Sequence, residues 1–476
     1  MTISIEDMAV FCKKKGFIYP SSEIYGGMAG FWDYGPLGSE LKKNLKDAWW
    51  RYHVQSREDV VGIDGTIITH PKIWEASGHV ANFSDVFVVC KKCKKPNKLD
   101  KNEVGKVKCD CGGDYEVKGD LNLMFKTNVG PVDGNIAYLR PETAQVIFAD
   151  FKQVTDTSRL KLPFGIAQMG RSFRNEISPR DFLFRCREFE QMEIEYFVHP
   201  KKTDECPYIK EVEKTRINIL SEDMQKNNKE AEKMSIKDAL KKKIIKKQWL
   251  AYWLATELRW FTLLGANPDK FRIRQHVKEE LAHYSSECWD LEYNFPFGWK
   301  ELQGMADRSD YDLQQHIKFS KTDLSLYDEE AKEKIVPNVV AEPSQGVDRA
   351  FLVFMFDAYE DDKKRGNIVL HLHPRLAPVK VGIFPLVNKL LDKSQKIYKE
   401  LKSEFVCQHD KSGSIGRRYA RADEIGIPYC VTVDFEEDGC VTVRDRDTTA
   451  QKRVKITELK DTLRRLLNKE INLEEL

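Results

Sequence analysis

The chain has 476 residues, of which 32% are charged and 41% hydrophobic, and its formal net charge is +2. This length predicts about three domains, or one large enzyme core with an appendage, and the near-neutral charge rules out inferring nucleic-acid binding from bulk charge alone. The longest uninterrupted apolar stretch, Ala350 to Phe356, is far too short to span a membrane, so we expect no membrane partner.

The N-terminal segment MTISIEDMAVFCKKKGF has no long apolar run before a cleavage site, which predicts that no secretory signal is present. Eleven cysteines, an odd number, favour a reducing compartment over a disulfide framework. We therefore expect a cytoplasmic protein.

The first half of the chain begins with a region, residues 1 to about 87, that mixes aromatics, glycines and a helical pattern, SELKKNLKDAWWRYHV. Ser39 is the predicted N-cap of that helix. A lysine- and cysteine-rich insert follows at residues 88–120, and residues 121 to about 200 read as strands and short helices.

The insert carries Cys90-x2-Cys93 and Cys109-x-Cys111, with fifteen residues between the two pairs. Four thiolates in two close pairs are what a tetrahedral zinc site requires, so the spacing predicts a structural Zn²⁺ without an open coordination position. The alternative is that these are free cysteines in a flexible insert.

The stretch GRSFRNEISPRDFLFRCREFEQMEIEYF, residues 170–197, predicts two strands with alternating faces. One face collects polar side chains and one phenylalanine, while Met192, Ile194 and Tyr196 point the other way. The residues assigned to the polar face are Gln168, Ser172, Arg174 and Glu176 on the first strand and Arg185, Arg187, Phe189, Gln191, Glu193 and Glu195 on the second.

Arginine forks suit phosphate, and a phenylalanine face suits a purine ring. A solvated ladder of ion pairs would not need Phe189 on the charged face. The pattern therefore favours a pocket for a flat, anionic ligand over a solvated strand pair.

The second half begins with a lysine-heavy region, residues 201 to about 260, that reads as helical with a solvated lysine face. Strands and helices resume to about residue 375. Regular alternation then predicts a small α/β domain of about 100 residues, with strands at 379–385, FVCQHD, IPYCVTVDF and GCVTVRD and helices at 387–403, 415–425 and near 457–468.

Two segments resemble the conserved motifs of one enzyme class. FRNE (173–176) with RCREF (185–189) resembles motif 2 of the class II aminoacyl-tRNA synthetases, and EPSQGVDRAFLVFM (342–355) resembles motif 3. Within that class the chain is similar to the homodimeric glycyl-tRNA synthetases, through RPETAQ (140–145), FEQMEIEYF (189–197), LAHYSSECWD (281–290) and ADRSDYDL (306–313). The resemblance covers nearly the whole chain.

The resemblance implies an α+β fold, with an antiparallel catalytic sheet flanked by helices and a C-terminal α/β anticodon-binding domain. The implied domains are residues 1–375, containing a zinc-ribbon-like insert (88–120) and a helical insert (about 201–260), and residues 376–476. The segment Gly35 to Asp64 resembles motif 1, which builds a homodimer interface in this class.

The resemblance also implies ATP-dependent attachment of glycine to tRNA(Gly) through glycyl-adenylate, with Mg²⁺. Two alternatives stay open: a class II synthetase for another amino acid, and a non-catalytic, synthetase-derived RNA- or DNA-binding accessory protein. The segment EKMSIKD (232–238) mimics the KMSKS loop of class I synthetases, but no HxGH-type element accompanies it, and we interpret it as helix surface.

Site residues carried over from the family fall into four groups: catalytic, other ATP-binding, magnesium-binding and glycine-binding. The catalytic residues are Arg174 on the α-phosphate, Glu176 near the adenine amine and Arg349 on the γ-phosphate. The remaining ATP-binding residues are Asn175, Phe184, Arg185, Cys186, Arg187, Glu188, Phe189, Glu301, Leu302, Gly346, Val347 and Asp348, with Phe189 stacked on adenine. Glu301 and Glu342 are the implied magnesium ligands.

The glycine-binding residues implied by the family are Lys98, Glu142, Phe189, Glu190, Gln191, Met192, Glu193, Glu342, Pro343, Ser344, Gln345 and Gly346. Acids surround the ammonium group, and Pro141 is predicted to lie in the first turn of the helix that follows. One departure concerns Lys98, which stands where the family carries an arginine for the glycine carboxylate. Three readings stay open: Lys98 substitutes and supplies charge without the bidentate fork, another arginine contacts the glycine carboxylate, or Lys98 is not the residue that aligns with the family's arginine.

Overall fold

The computed structural model describes residues 3–99, 104–131, 134–179, 181–281, 285–329, 331–436 and 439–476. The α-helices in this part of the chain are α1 (Ile5–Lys15), α2 (Pro36–Trp50), α3 (Pro71–Ala76), α4 (His79–Asn82), α5 (Ala144–Ser158), α6 (Ile209–Val212), α7 (Glu222–Lys226), α8 (Ile236–Lys241), α9 (Gln248–Leu263), α10 (Tyr311–Ser320), α11 (Val347–Ala358), α12 (Leu391–Leu401), α13 (Ile415–Glu424) and α14 (Ile456–Leu467). None of these helices combines the length and the hydrophobicity that a membrane crossing requires.

The strands of the described residues are also numbered in chain order. They are β1 (Ile18–Pro20), β2 (Trp32–Tyr34), β3 (Val60–Ile63), β4 (Ile68–Thr69), β5 (Ser84–Cys90), β6 (Pro96–Leu99), β7 (Tyr115–Asn122), β8 (Phe125–Asn128), β9 (Ile136–Leu139), β10 (Phe164–Phe173), β11 (Glu188–Val198), β12 (Arg216–Leu220), β13 (Glu232–Ser235), β14 (Phe271–Gln275), β15 (Glu287–Phe295), β16 (Gly298–Asp307), β17 (Leu326–Asp328), β18 (Glu333–Ile335), β19 (Asn338–Gly346), β20 (Tyr359–Asp362), β21 (Asn367–Leu370), β22 (Val381–Pro385), β23 (Cys407–His409), β24 (Tyr429–Val433), β25 (Cys440–Asp445) and β26 (Gln451–Lys455).

A nine-stranded sheet organises residues 60 to 346, in the order β13-β12-β14-β15-β16-β19-β11-β10-β3. Its pairs are antiparallel except β12 with β14 and β10 with β3. One face packs on α9 and α11, whose sequences are apolar on nearly every side because both helices are buried. The other face is polar over its central strands and holds the candidate site. The predicted α+β fold with an antiparallel catalytic sheet is confirmed.

The C-terminal sheet has the order β23-β22-β24-β25-β26 and is mixed, because β22 pairs in parallel with β23 and β24 while the other pairs are antiparallel. Its core includes Val431, Val443 and Leu463 from the sheet and α14. The predicted strands and helices all occur, with shorter bounds. The sequence prediction missed β26, a charged edge strand, QKRVK.

Three expectations are corrected by the structure. The helix expected to begin after Ser39 begins at Pro36, with Gly35 as N-cap and the proline in the first turn. The region expected to be a helical insert contains β12 and β13, which extend the nine-stranded sheet. EKMSIKD is therefore strand followed by helix, with Met234 and Ile236 buried, and not helix surface. Residues 282–284 of the LAHYSSECWD motif, and Arg180 of the arginine-rich stretch, lie outside the described residues.

Helix α2 approaches the chain before β1 so closely that only glycine fits at position 38. A Cβ atom at Gly38 would lie 1.9 Å from the backbone oxygen of Phe17. We predict that Gly38→Ala lowers the free energy of unfolding by about 2–3 kcal/mol, because the backbone must move apart. Urea unfolding measures this loss. Gly416→Ala in α13 is the matched control: its Cβ meets no atom within 4 Å, so stability should stay equal or rise.

Candidate active site

A cavity of about 650 Å³ lies on the polar face of the nine-stranded sheet, over β15, β16, β19 and β11. Alternate side chains of these four strands face the cavity, because the intervening residues pack against α9 and α11. Of the residues predicted from the sequence, the cavity is lined by Lys98, Glu142, Arg174, Glu176, Phe184, Arg185, Cys186, Phe189, Gln191, Glu193, Glu301, Leu302, Glu342, Ser344, Gly346, Asp348 and Arg349.

The hairpin of β10 and β11 has the predicted faces but shorter strands. Phe173 pairs with Glu188, so the first strand ends and the second begins at that pair. Arg174, Glu176, Arg185 and Arg187, expected on strands, belong instead to the connecting loop, whose described residues include a 3₁₀ turn at 182–184.

Arg174 lies between two aromatic rings. Its guanidinium is 5.4 Å from the centroid of Phe83 and 5.3 Å from that of Phe189, and its Nε donates to the Pro141 carbonyl oxygen at 3.1 Å. Cation–π contacts and one backbone bond orient the side chain while its terminal nitrogens remain available to an anion in the cavity.

Glu176 is the acceptor for two basic residues of the cavity wall. Arg185 Nε donates to Glu176 Oε2 at 2.9 Å, and Lys98 Nζ lies 3.8 Å from the same oxygen. Lys98 belongs to β6, so this contact connects the cysteine-bearing segment to the loop between β10 and β11.

Arg349, in the first turn of α11, also borders the cavity. Its NH1 donates to the Glu301 carbonyl oxygen at 2.9 Å and lies 3.2 Å from Glu301 Oε1. The guanidinium also covers the Phe184 ring, 4.5 Å from its centroid. Two arginines, Arg174 and Arg349, thus border one cavity from different elements.

Buried carboxylates form the other end of the cavity. Glu193 accepts a short hydrogen bond from Thr143, and Glu142 lies 3.3 Å from His79 Nε2. Burial and the charge of Glu142 raise the pKa of Glu193, against hydrogen bonds from Ser344 and Thr143. Burial alone would raise the pKa of Glu142 too, but His79 and nearby arginines hold it below its usual range.

Glu342 completes this acidic end on the neighbouring strand. Arg308 NH1 donates to Glu342 Oε1 at 2.8 Å while its other nitrogens bind Asp312 at 2.7 and 2.8 Å. Burial raises the pKa of Glu342 to about 8; Arg308 opposes the shift and Glu193 adds to it. Glu195, fully buried, lies within 4.8 Å of Glu193 and Glu342. Several buried carboxyl groups at this end share one arginine, Arg308, as a positive neighbour. This excess of acids favours a ligand with a cationic group here.

Several predicted residues do not reach the cavity. On β11, Glu188, Glu190 and Met192 alternate onto the opposite face: Glu188 pairs with Arg171, Glu190 with Lys42 and Lys46, and Met192 joins the core. The other predicted residues outside its lining are Asn175, Arg187, Pro343, Gln345 and Val347. The motif stretches were taken as continuous, whereas the pleat exposes only every second side chain.

The two predicted magnesium ligands lie on neighbouring strands that line the cavity, β16 and β19. Glu342 is opposite Ala306, five positions along β16 from Glu301. Each carboxylate already has an arginine partner, Arg308 for Glu342 and Arg349 for Glu301. One ion shared by both carboxylates stays a prediction.

Pro141 also differs from its predicted place. Helix α5 begins at Ala144 with Thr143 as N-cap, so Pro141 precedes the helix rather than occupying its first turn. The buried Arg140 fixes this segment: its Nε donates to the Arg171 carbonyl oxygen at 2.8 Å and its NH1 to Gln168 Oε1 at 2.6 Å. These bonds position Glu142 at the cavity edge.

The four insert cysteines converge beside the cavity wall. Their sulfur atoms all lie within 4.8 Å of one another, with 3.5 Å between Cys90 and Cys111 and 3.6 Å between Cys93 and Cys109. They occupy the end of the three-stranded sheet β6-β5-β7, whose strand β6 carries Lys98.

Sequence reasoning missed three residues that shape the site: His79, Thr143 and Arg308. Each acts on an acid distant in sequence, as Arg308 does on Glu342, and spacing carries no signal for such contacts. Thr143 lies within the RPETAQ motif and Arg308 within ADRSDYDL, and those motifs were the available clues.

Comparisons with known proteins agree with this arrangement. Residues 126–350 match the tRNA synthetase class II core domain (G, H, P, S and T), and residues 380–466 match the anticodon binding domain. The chain is 44% identical to a glycine–tRNA ligase of Geobacillus kaustophilus, covering 97% of this chain and 98% of that protein. It is 44% identical to one of Acetivibrio thermocellus (96% and 97% covered) and 44% identical to one of Borreliella burgdorferi (96% of each).

Proposed function

We propose a role for each part of the cavity from the premise that this chain belongs to the glycine–tRNA ligases of class II, as its similarity over nearly the whole length shows. The chain attaches glycine to tRNA in a reaction that uses ATP. The comparisons give no support to the alternative of a non-catalytic accessory protein.

The proposed chemistry has two steps. A carboxylate oxygen of glycine attacks the α-phosphorus of ATP, the bond to the bridging oxygen breaks, and pyrophosphate leaves. A terminal hydroxyl of tRNA(Gly) then attacks the glycyl carbonyl of the adenylate and AMP leaves. Because the carboxylate is already a nucleophile, the first step depends on positioning and on charge stabilisation more than on proton removal.

We assign the arginine-bearing end of the cavity to ATP. Arg174, oriented by Phe83 and Phe189, would bind the α-phosphate, where negative charge increases as the adenylate forms. Arg349 would bind the γ-phosphate. Phe189 would stack on adenine, with Glu176 and Asn175 near its amine and the loop 184–189 closing over the nucleotide. Asn175, Arg187 and Glu188 are outside the lining of the cavity, so we assign any part they play to the loop backbone.

We assign the acidic end to glycine. Its ammonium group would lie among Glu142, Glu193 and Glu342, with Ser344 beside Glu193. One observation carries the proposal: a single cavity is lined by buried acids and by two arginines with an aromatic ring. Larger amino acids would be excluded by the close walls, a steric discrimination that is easier than rejecting smaller ones.

Lys98 is the proposed partner of the glycine carboxylate. It lines the cavity, and its ammonium group lies near Glu176. Lysine would act there as a point charge, without the paired hydrogen bonds of an arginine.

Magnesium generally accompanies ATP in this class and neutralises phosphate charge. The residues predicted to hold it are Glu301 and Glu342, which line the same cavity, and we assign no step to the ion. Glu301 remains the one of the two on the ATP side of the cavity, beside Arg349.

The four cysteines of the insert fit Zn²⁺, which four thiolates bind tetrahedrally at about 2.3 Å. Such a site would have no open position and would serve structure only. Its proposed effect on the reaction is indirect, because Lys98 belongs to the same small sheet as Cys90.

We predict that Cys109→Ser reduces the zinc content of purified protein from about one ion per chain to well under half, since serine is a poor zinc ligand. Elemental analysis by mass spectrometry measures this content. Cys407→Ser, in β23 far from the cluster in sequence, is the control and should leave it unchanged. Equal zinc in wild type and Cys109→Ser would overturn the zinc assignment.

We further propose that tRNA(Gly) contacts the C-terminal region, which matches an anticodon binding domain, and that the chain forms a homodimer through α2 and β3. β3 ends the nine-stranded sheet and offers a strand edge next to α2. A reducing compartment, the cytoplasm, suits the eleven cysteines, none of which forms a disulfide in the part of the chain that the structure describes.

Amino-acid-dependent ATP–pyrophosphate exchange tests the proposed function. The purified protein is assayed with each standard amino acid separately, and its mass is measured by light scattering for the dimer. We expect exchange with glycine alone. Exchange with a different amino acid would overturn the glycine assignment, and exchange with none from folded, zinc-loaded protein would overturn catalysis.

A further inference from the structure

The hairpin of β20 and β21 follows directly after α11, the helix whose first turn contains Arg349. It packs against the C-terminal region, chiefly helix α13. One continuous segment therefore leads from the ATP end of the cavity, along about 18 Å of helix, to the surface on which the C-terminal region is seated.

Arg365, in the turn of this hairpin, bonds to the C-terminal region through several nitrogens. NH1 donates to the carbonyl oxygen of Arg446 at 2.7 Å, and NH2 donates to that of Asp447 at 2.8 Å. NH1 also lies 3.4 Å from Asp423 Oδ2, while Nε lies 3.0 Å from Asp362 of the same turn. The planar guanidinium is bound to the hairpin turn through Nε and to the C-terminal region through NH1 and NH2. It therefore fixes both the distance and the orientation between these two parts of the chain.

His371, directly after β21, makes a second bridge. Its Nδ1 lies 2.7 Å from Asp447 Oδ1 and its Nε2 lies 2.8 Å from Glu360 Oε2. The hydrogen bond to Asp447 raises the pKa of His371, against partial burial. Asp447 is itself held by Arg446, at 2.7 and 2.9 Å. The imidazolium thus links the hairpin to the turn between β25 and β26.

The backbones also meet closely beneath these bonds. Gly426, after α13, has a φ of +80°, and a Cβ there would lie 3.1 Å from the Leu370 carbonyl oxygen and 3.0 Å from Leu372 Cδ1. Arg444 holds Asp423 with two bonds of 2.8 and 2.9 Å, so the acid facing Arg365 is fixed from behind. These contacts fix the position of the C-terminal region relative to the hairpin.

We propose that Arg365 and His371 are positioning residues for the transfer step: they hold the C-terminal region at a set distance and angle from the cavity, so that a tRNA bound there presents its 3′ end to the adenylate. The inference rests on the proposed function. It requires nothing of these residues in adenylate formation, because neither lines the cavity.

The test separates the two half-reactions in Arg365→Ala and His371→Gln. We expect glycine-dependent ATP–pyrophosphate exchange within about twofold of wild type, because the cavity is untouched. The kcat/KM for tRNA in glycylation should fall about 10- to 100-fold, since a small misplacement of a reacting end is costly. Arg365→Lys retains the charge but not the guanidinium fork, so its kcat/KM for tRNA should lie between those of the wild type and Arg365→Ala.

Lys363→Ala is the matched control, because Lys363 lies in the same turn, is 84% exposed and has its ion pair with Asp361 of the same turn. It should leave both half-reactions unchanged. If exchange and glycylation fall together in Arg365→Ala and His371→Gln, the residues serve stability and the proposal is wrong; if neither falls, it is also wrong. Absence of glycine-dependent exchange in the wild type would instead overturn the proposed function.

Discussion

Replacing Arg174 with alanine is expected to lower the kcat of glycine-dependent ATP–pyrophosphate exchange about 10²- to 10³-fold, the usual effect of removing one charge-stabilising donor from a transition state. The guanidinium is already oriented by Phe83, Phe189 and the Pro141 carbonyl oxygen, so little reorganisation is needed when the α-phosphate gains charge. Steady-state exchange at saturating glycine and ATP measures this loss.

Arg171→Ala is the control for that experiment. Arg171 lies three residues earlier, its side chain is 61% exposed, and it pairs with Glu188 outside the cavity. Exchange should stay within about twofold, as for most exposed ion pairs. Arg174→Lys should recover only part of the lost kcat, because a point charge replaces a bidentate hydrogen-bond donor. Full activity in Arg174→Ala would show that the α-phosphate is bound elsewhere.

Glu193→Gln is expected to raise the KM for glycine about 10- to 100-fold, corresponding to about 1.5–3 kcal/mol for one hydrogen bond to a charged group. The amide retains the size of the side chain and one oxygen for Thr143 and Ser344, but removes a negative charge from the ammonium site. The KM for ATP should change little. Exchange measured against glycine and ATP in turn separates the two.

Glu188→Gln, on the same strand but the opposite face, is the control for the glycine site. It should leave the KM for glycine unchanged, and a rise there would contradict the strand alternation by which we removed Glu188 from the cavity. Equal rises in both KM values for Glu193→Gln would indicate general disruption of the cavity instead of a loss of ammonium binding.

The period of two in β11 was sufficient to place Phe189, Gln191 and Glu193 on one face and Met192 and Ile194 on the other. It was not sufficient to locate the strand ends. Asp181 and Phe182 adopt positive φ values of +60° and +54°, which bend the chain at residues whose types give little warning. The loop that holds Arg185 was therefore predicted as strand.

Elements that depend on distant partners were the ones that sequence reasoning lost. β26 (QKRVK) is rich in lysine and arginine, and β13 (EKMS) begins with a glutamate and a lysine. Only pairing with β12 and β25 makes them strands, and charged side chains are tolerated there because both strands lie at sheet edges. The same holds for Arg308, whose contacts with Glu342 span 34 positions. Spacing within a motif could predict neither.

The pair formed by Arg349 and Glu301 has a consequence for which anions the cavity accepts. Glu301 is covalently part of the site, so it competes for the guanidinium at an effective concentration of the order of millimolar or higher. A dilute monovalent anion gains only one contact in return and displaces this built-in competitor poorly. A nucleoside triphosphate engages several donors at once and displaces it readily. A ligand is therefore retained only if it binds the Arg349 guanidinium more strongly than the Glu301 carboxylate does.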